Sequence, residues 1–248
     1  MGIVKANDIR GIYPDELNEE TAWRIGFYLK EVLGCNRILI GRDGRKSSDI
    51  LFSSLCAGIT ASGADAVSIG RCDTPAVYFA TARYGFEGSV MITASHNPPD
   101  YNGFKISRKD SVPVGKDDGL NALGELIRVK PSSAAGKGTM TELDITEDYI
   151  NHTGRFAKVE KPLKVVVDCS QGAACFFGKK ILANAASEFI YIFDEPDGSF
   201  SLHDPNPLKK SVHEIVAQAV LRENADFGVC FDGDADRAVF FDEKGRFI

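Results

Sequence analysis

Short apolar runs alternate with longer amphipathic segments along most of this chain, and this alternation limits its fold more than any other feature. The apolar runs have the length of strands, and most segments between them carry helical spacing. Parallel strands must be joined by a long crossover, which is usually a helix, so the pattern predicts βαβ units and mainly parallel sheets. The predicted strands occupy residues 37–41, 65–70, 88–93, 164–168, 188–193 and 226–231, with a hairpin partner at residues 238–242. We therefore predict an α/β protein.

The predicted strands form two groups, which indicates two tandem domains. Residues 130–139 lie between the groups and are rich in Pro, Gly and Ser, so we expect an exposed loop there. A length of 248 residues suits one or two domains, and we place them at residues 1–144 and 145–248. A second long loop, at residues 194–210, contains three prolines, and its length suggests a function.

Capping residues predict where several helices begin and end. Asn18 is expected to cap a first helix that Gly34 ends, and Ser48 to cap a second. Ser211 begins the pattern Ser-Val-His-Glu, which is typical of a capping box, and its helix is expected to reach Asn224.

A polar turn follows the apolar run at residues 88–93. Ser95, His96 and Asn97 precede two prolines, and proline fixes φ and lacks an N–H, so the strand must end there. Ser95 is thus predicted at the mouth of a strand, where open α/β sheets place reactive groups. The alternative is an ordinary tight turn in which His96 bonds to its own loop.

Three aspartates at alternate positions, Asp232, Asp234 and Asp236, predict a site for a hard cation with oxygen ligands. A calcium loop of the EF-hand type is one alternative, since Glu243 falls at its twelfth position. Arg237, however, stands where that loop needs glycine, and the flanking segments are strand-like. An aspartyl-phosphate nucleophile of the haloacid-dehalogenase type is the second alternative, but Asp236 replaces its expected threonine or valine. A magnesium loop fits better than either.

Charge and cysteine content limit the partners that this protein is expected to bind and the compartment in which it is expected to reside. The chain has 29 basic and 35 acidic residues, a net charge of −6, and lacks a basic block, so we expect no nucleic-acid partner. Six cysteines occur without a Cys-x-x-Cys pair and lie in or beside apolar runs, as buried thiols do. Neither a signal segment nor a run of membrane-spanning length is evident. The composition predicts a reduced cytoplasmic protein that does not enter a membrane.

Taken together, several motifs resemble the α-D-phosphohexomutases, specifically the phosphomannomutase/phosphoglucomutase branch. The matching motifs, in family order, are Asp-Ile-Arg-Gly at residues 8–11, TASHNP at 93–98, NGFKI at 102–106, EPDGSF at 195–200 and DGDADR at 232–237. The chain departs from the family pattern at one residue and in one segment. Asn7 stands where tyrosine is frequent, and Ser-Gln-Gly-Ala-Ala at residues 170–174 replaces Gly-Asn-Gly-Ala-Gly. The resemblance implies two tandem three-layer αβα domains with mixed, mainly parallel sheets, the N-terminal portion of a longer enzyme.

The resemblance also implies a function and assigns roles to residues. The family interconverts hexose 1-phosphates and 6-phosphates through a phosphoserine and a 1,6-bisphosphate. The implied phosphoserine is Ser95, which shares Mg²⁺ with the three aspartates. The other implied catalytic residues are Arg10, His96, Lys105 and Arg237. The expected partners are a hexose phosphate and the family's C-terminal domains, without which this chain is expected to be inactive. The alternative is a naturally short metal- or phosphate-binding protein without turnover.

Overall fold

The computed structural model describes residues 2–131, 136–183 and 185–248. Two compact units result: unit 1 runs to Ala94 and resumes over Asp100–Ile145, whereas unit 2 comprises Ser95–Pro99 and Thr146–Ile248. The loop expected at residues 130–139 lies partly outside the described residues. The division of the sequence at residues 144 and 145 stays a prediction for the domain boundary.

Unit 1 contains a six-stranded sheet in the order β1-β5-β4-β2-β3-β6. Strands β4, β2, β3 and β6 run parallel, whereas β5 is antiparallel to both β4 and β1. The strands are β1 (Ile9–Ile12), β2 (Arg37–Arg42), β3 (Asp65–Arg71), β4 (Gly88–Ile92), β5 (Tyr101–Arg108) and β6 (Met140–Glu142). The helices are α1 (Glu19–Leu33), α2 (Ser48–Ala61), α3 (Thr74–Arg83) and α4 (Leu120–Leu126).

Helices cover both faces of this sheet. Ile38 and Ile40 of β2 belong to the large core that includes buried residues of α1, α2 and α4. Because strand residues alternate between faces, Gly41 points the other way, and a Cβ there would lie 2.5 Å from Val77 of α3. Unit 1 therefore has three layers, αβα.

The structure confirms one predicted helix cap and corrects two others. The Asn18 side chain accepts a hydrogen bond from the Thr21 amide, and Gly34 ends α1 in the left-handed region. The prediction for Ser48 is wrong, because it is the first residue of α2 and its hydroxyl donates to Asp43 at 2.5 Å. Ser211 is not a cap either, since its helix, α7 (Lys210–Glu223), begins one residue earlier.

Unit 2 contains a four-stranded sheet in the order β10-β9-β7-β8, with β8, β7 and β9 parallel and β10 antiparallel. Its elements are α5 (Thr146–Gly154), β7 (Lys164–Asp168), α6 (Ala174–Leu182), β8 (Glu188–Ile192), α7 (Lys210–Glu223), β9 (Phe227–Phe231) and β10 (Ala238–Phe241). Val166 packs with residues of α7, whereas its neighbours Val165 and Val167 pack on the face that carries α6. The predicted mixed, mainly parallel αβα architecture is thus confirmed in both units.

Two further observations concern the composition. Within the described residues, none of the helices combines the length and the apolar content that crossing a bilayer requires. All six cysteines are free thiols, and five of them are buried, as expected from their place in apolar runs.

Candidate functional site

The aspartate loop, residues 232–237, connects β9 to β10 at the end of the unit 2 sheet. Asp232, Asp234 and Asp236 each offer a carboxylate oxygen, and these oxygens lie within 4.8 Å of one another. Asp232 and Asp234 are fully buried, whereas Asp236 is exposed. Ala235 takes a φ of 58°, a left-handed conformation that is unfavourable for alanine and lets the loop turn back on itself. The predicted convergence of the three aspartates is therefore present.

The elements on either side of this loop decide against the calcium-loop alternative. An EF-hand loop joins two helices. Here the loop joins antiparallel strands, with Ala238 paired to Phe231. The carboxylates nevertheless form an all-oxygen donor set, which suits a hard cation such as Mg²⁺.

Ser95 lies directly against the aspartate loop. It belongs to the serine loop, Ser95–Pro99, which groups with unit 2 although the flanking strands β4 and β5 belong to unit 1. The Ser95 hydroxyl donates to Asp232 Oδ2 at 2.9 Å, and the residue is only 3% exposed. Its φ is 54°, a strained left-handed conformation of the kind that clusters at active sites. An ordinary surface turn would show neither the burial nor this contact.

Arg237 joins the serine loop to the aspartate loop. Its guanidinium donates to Asp232 Oδ2 at 2.5 Å and to Ser95 Oγ at 2.6 Å, and lies 3.4 Å from Asp236 Oδ1. The Nη2 atom is also 2.5 Å from His96 Nδ1. Because a guanidinium can only donate, Nδ1 is the acceptor, and the neutral His96 ring carries its proton on Nε2.

The local electrostatics favour a bound cation. Burial raises the pKa of Asp232 from its ordinary value of 3.8 to about 7, and the charges of Asp234 and Asp236 add to the effect. Arg237 and the hydrogen bond from Ser95 lower this pKa only in part. A divalent cation among the carboxylates would remove the repulsion that keeps a proton on Asp232.

Arg10 and Lys105 lie in unit 1. Arg10 is on β1, paired with Gly103, and forms an ion pair with Asp8. Lys105 is on β5, two residues beyond Gly103, so it shares a sheet face with Arg10. The structure thus places these two residues on one face of the sheet, and their catalytic roles stay predictions.

Sequence reasoning missed a group of buried polar residues behind the aspartate loop. We define the support turn as residues 168–173, which begin with the last residue of β7. Asp168 in this turn and His203 in the long loop at 194–210 face each other, with side chains 0% and 3% exposed. The only signal in the sequence was an aspartate at the end of an apolar strand.

Comparison with known proteins identifies the family of this fold. The family model described as phosphoglucomutase/phosphomannomutase, alpha/beta/alpha domain I, matches residues 1–129, and that of domain II matches residues 147–245. A protein of Xanthomonas campestris named "Phosphohexose mutases" is 42% identical over 98% of this chain and 55% of its own length. A phosphomannomutase of Salmonella montevideo is 39% identical over 98% of this chain and 56% of its own length.

A crystal structure also matches both units. It is that of a phosphoglucomutase/phosphomannomutase family protein from Burkholderia thailandensis, with a TM-score of 0.91 and 32% identity. The match covers 99% of this chain and 56% of that one.

The two family models together match residues 1–129 and 147–245, which is most of the chain. The chain belongs to the phosphoglucomutase/phosphomannomutase family. It spans about half the length of the curated relatives it matches.

Proposed function

We propose that this chain supplies the phosphoserine and the metal site of a phosphohexomutase that interconverts mannose or glucose 1-phosphates and 6-phosphates. The observation that carries the proposal is the contact of the Ser95 hydroxyl with Asp232 at 2.9 Å, inside a cluster of three carboxylates. Asp232, Asp234, Asp236 and Ser95 would hold the Mg²⁺. When bound, the ion would neutralise negative charge and polarise the phosphoryl group.

The residues of this chain suit both halves of a phosphoryl exchange. In the proposed step, the bond between phosphorus and Ser95 Oγ breaks as phosphorus bonds to a hydroxyl oxygen of the sugar phosphate. The hydroxyl loses its proton, for which Lys105 and His96 are the candidate carriers, and the Ser95 oxygen finally regains one. Arg237 donates to Ser95 Oγ at 2.6 Å, so it can stabilise the departing oxygen. We assign Arg10 to substrate-phosphate binding.

In the reverse step, the other phosphate of the 1,6-bisphosphate returns to Ser95. The sugar oxygen then regains a proton as Ser95 Oγ loses one. We propose that the family's C-terminal domains supply the remaining sugar contacts, so the 248-residue chain alone would accept a phosphoryl group but would not turn over. Six free thiols support a reducing, cytoplasmic location.

Phosphorylation of Ser95 is tested by incubating the chain with glucose 1,6-bisphosphate and MgCl₂. Intact-mass spectrometry should show one added phosphoryl group, and peptide mapping should place it on Ser95. The Ser95→Ala variant should remain unlabelled, whereas Ser53→Ala, which alters an exposed serine of α2, should be labelled like the wild type. Equal labelling of the Ser95→Ala variant would refute the assignment.

A coupled mutase assay on the same samples tests the second part of the proposal. Turnover by the verified 248-residue chain at rates typical of enzymes, about 1 s⁻¹ or more, would show that further domains are unnecessary. Labelling without turnover is the expected result, and it is also what a short phosphate-binding protein would give. Adding the C-terminal half of a relative, as a separate polypeptide, distinguishes the two, because only a mutase portion should gain turnover.

A further inference from the structure

The support turn holds the aspartate loop at two backbone carbonyls. The Ser170 hydroxyl donates to the Phe231 carbonyl at 2.6 Å. The Ala173 amide donates to the Gly233 carbonyl at 2.9 Å. These carbonyls belong to the two neighbours of Asp232, so a single turn fixes the backbone on both sides of that carboxylate.

The turn is itself fixed by a buried ion pair. Ser170 is 1% exposed and has a φ of 52°, and its amide donates to Asp168 Oδ1 at 2.7 Å. His203 Nε2 lies 3.2 Å from Asp168 Oδ1, and its Nδ1 lies 2.8 Å from the Asp204 carbonyl. The Asp168 carboxylate thus accepts from both the Ser170 amide and the His203 ring.

The two partners of His203 define its protonation state in this geometry. A carbonyl oxygen can only accept, so Nδ1 must carry a proton. Burial opposes a second proton on the ring, but the bond to Asp168 outweighs it and raises the pKa of His203, which favours a proton on Nε2 as well. In a buried pair of this kind each group must stay close to the other, because a single unpaired charge in the protein interior is costly. The pair therefore restricts the positions of both side chains.

We infer that Ser170, held in place by Asp168 and His203, is a positioning residue that sets the backbone of the aspartate loop and thereby orients Asp232 toward the cation. Only the second half of the inference, the orientation of Asp232 toward a cation, rests on the proposed function. Its first half, the rigidity of the loop, can be measured without any ion.

Amide hydrogen exchange of the metal-free 248-residue chain tests the loop, and Mn²⁺ titration followed by electron paramagnetic resonance tests the ion. Ser170→Ala removes the hydroxyl alone. Ser170→Gly also removes the hydroxyl, and glycine adopts the left-handed backbone conformation without strain. This variant should therefore fold even if Ser170→Ala does not. Ser187→Ala is the matched control, because the Ser187 hydroxyl also bonds to a backbone group of unit 2, the Leu163 amide, away from the loop.

Loss of the bond should speed exchange of the aspartate-loop amides about tenfold and weaken Mn²⁺ binding by a similar factor, since it removes the hydroxyl donor of the Phe231 carbonyl. Ser187→Ala should change neither quantity. Unchanged loop exchange in the Ser170→Gly variant overturns the inference, as does faster exchange with unchanged Mn²⁺ affinity. If the wild type binds no Mn²⁺, the proposed metal site fails, and the exchange rates alone decide whether Ser170 sets the loop.

Discussion

Cation binding at the aspartate loop should release a proton, and the amount is set by Asp232. In the metal-free protein, burial and the charges of Asp234 and Asp236 raise the pKa of this carboxyl to about 7. A cation needs the ionised form, so each ion should displace about 0.9 proton at pH 6, about 0.5 at pH 7 and about 0.1 at pH 8. The apparent affinity should accordingly fall almost tenfold per pH unit below pH 7 and level off above it.

The same shift predicts how stability depends on pH. Between 3.8 and about 7, which are the ordinary pKa and the raised pKa of Asp232, the native state binds more protons than the unfolded chain. The stability of the metal-free protein should therefore fall as the pH rises through this window. The full shift corresponds to roughly 4 kcal/mol, an order-of-magnitude figure, at 1.36 kcal/mol per pKa unit. Saturating Mg²⁺ should remove much of the loss above pH 7.

Isothermal titration calorimetry in two buffers of different ionisation enthalpy measures the released proton directly. The Asp236→Asn variant removes an exposed charge that raises the pKa of Asp232, so each cation that this variant still binds should release less proton at pH 7. Binding heats that are the same in both buffers from pH 6 to pH 8 would refute the reasoning.

Two further predictions concern unit 2. A Cβ on Gly233 would lie 2.4 Å from the Ser95 carbonyl, so Gly233→Ala should destabilise the protein by about 1–3 kcal/mol in urea unfolding. Gly178→Ala, whose Cβ meets nothing within 4 Å, is the control and should be neutral or stabilising; equal losses would contradict the steric argument. Burial opposes the charge on His203, but the bond to Asp168 outweighs it and raises the pKa above 6.5. The native state then binds the extra proton, so this stabilisation is present below pH 6.5 and is lost as the pH rises through the raised pKa. Unfolding at pH 6 and pH 8 should show a smaller decrease for His203→Phe than for the wild type, and identical pH profiles would disprove the ion pair's contribution.

The sequence was most informative where a chemical constraint acts between near neighbours. Alternating aspartates and a Ser-His-Asn-Pro-Pro turn identified both loops, because charge repulsion and proline geometry are local properties. The cap predictions for Ser48 and Ser211 failed because other interactions determined the helix starts; the Ser48 hydroxyl, for example, bonds to the buried Asp43.

Other parts of the fold depend on distant partners and left little trace in the sequence. Strand β5 was not predicted, since Asn102 and Lys105 interrupt its apolar pattern, although Asn102 is fully buried and bonds to Ser47 and Ser48. Asp168 and His203 are 35 residues apart, and no local pattern connects an aspartate in a strand with a histidine in a proline-rich loop.

The place of the serine loop has a consequence for dividing this protein into fragments. The chain leaves unit 1 after Ala94, returns at Asp100, and leaves again after Ile145. A cut at any single peptide bond therefore cannot yield two fragments that match the two units. A gene fragment for residues 146–248 would encode the aspartates without the serine, and its complement would encode the serine without the aspartates. Split-protein complementation or recombination at residue 145 should accordingly separate the nucleophile from its carboxylates, even though the sequence alone makes that point the natural place to cut.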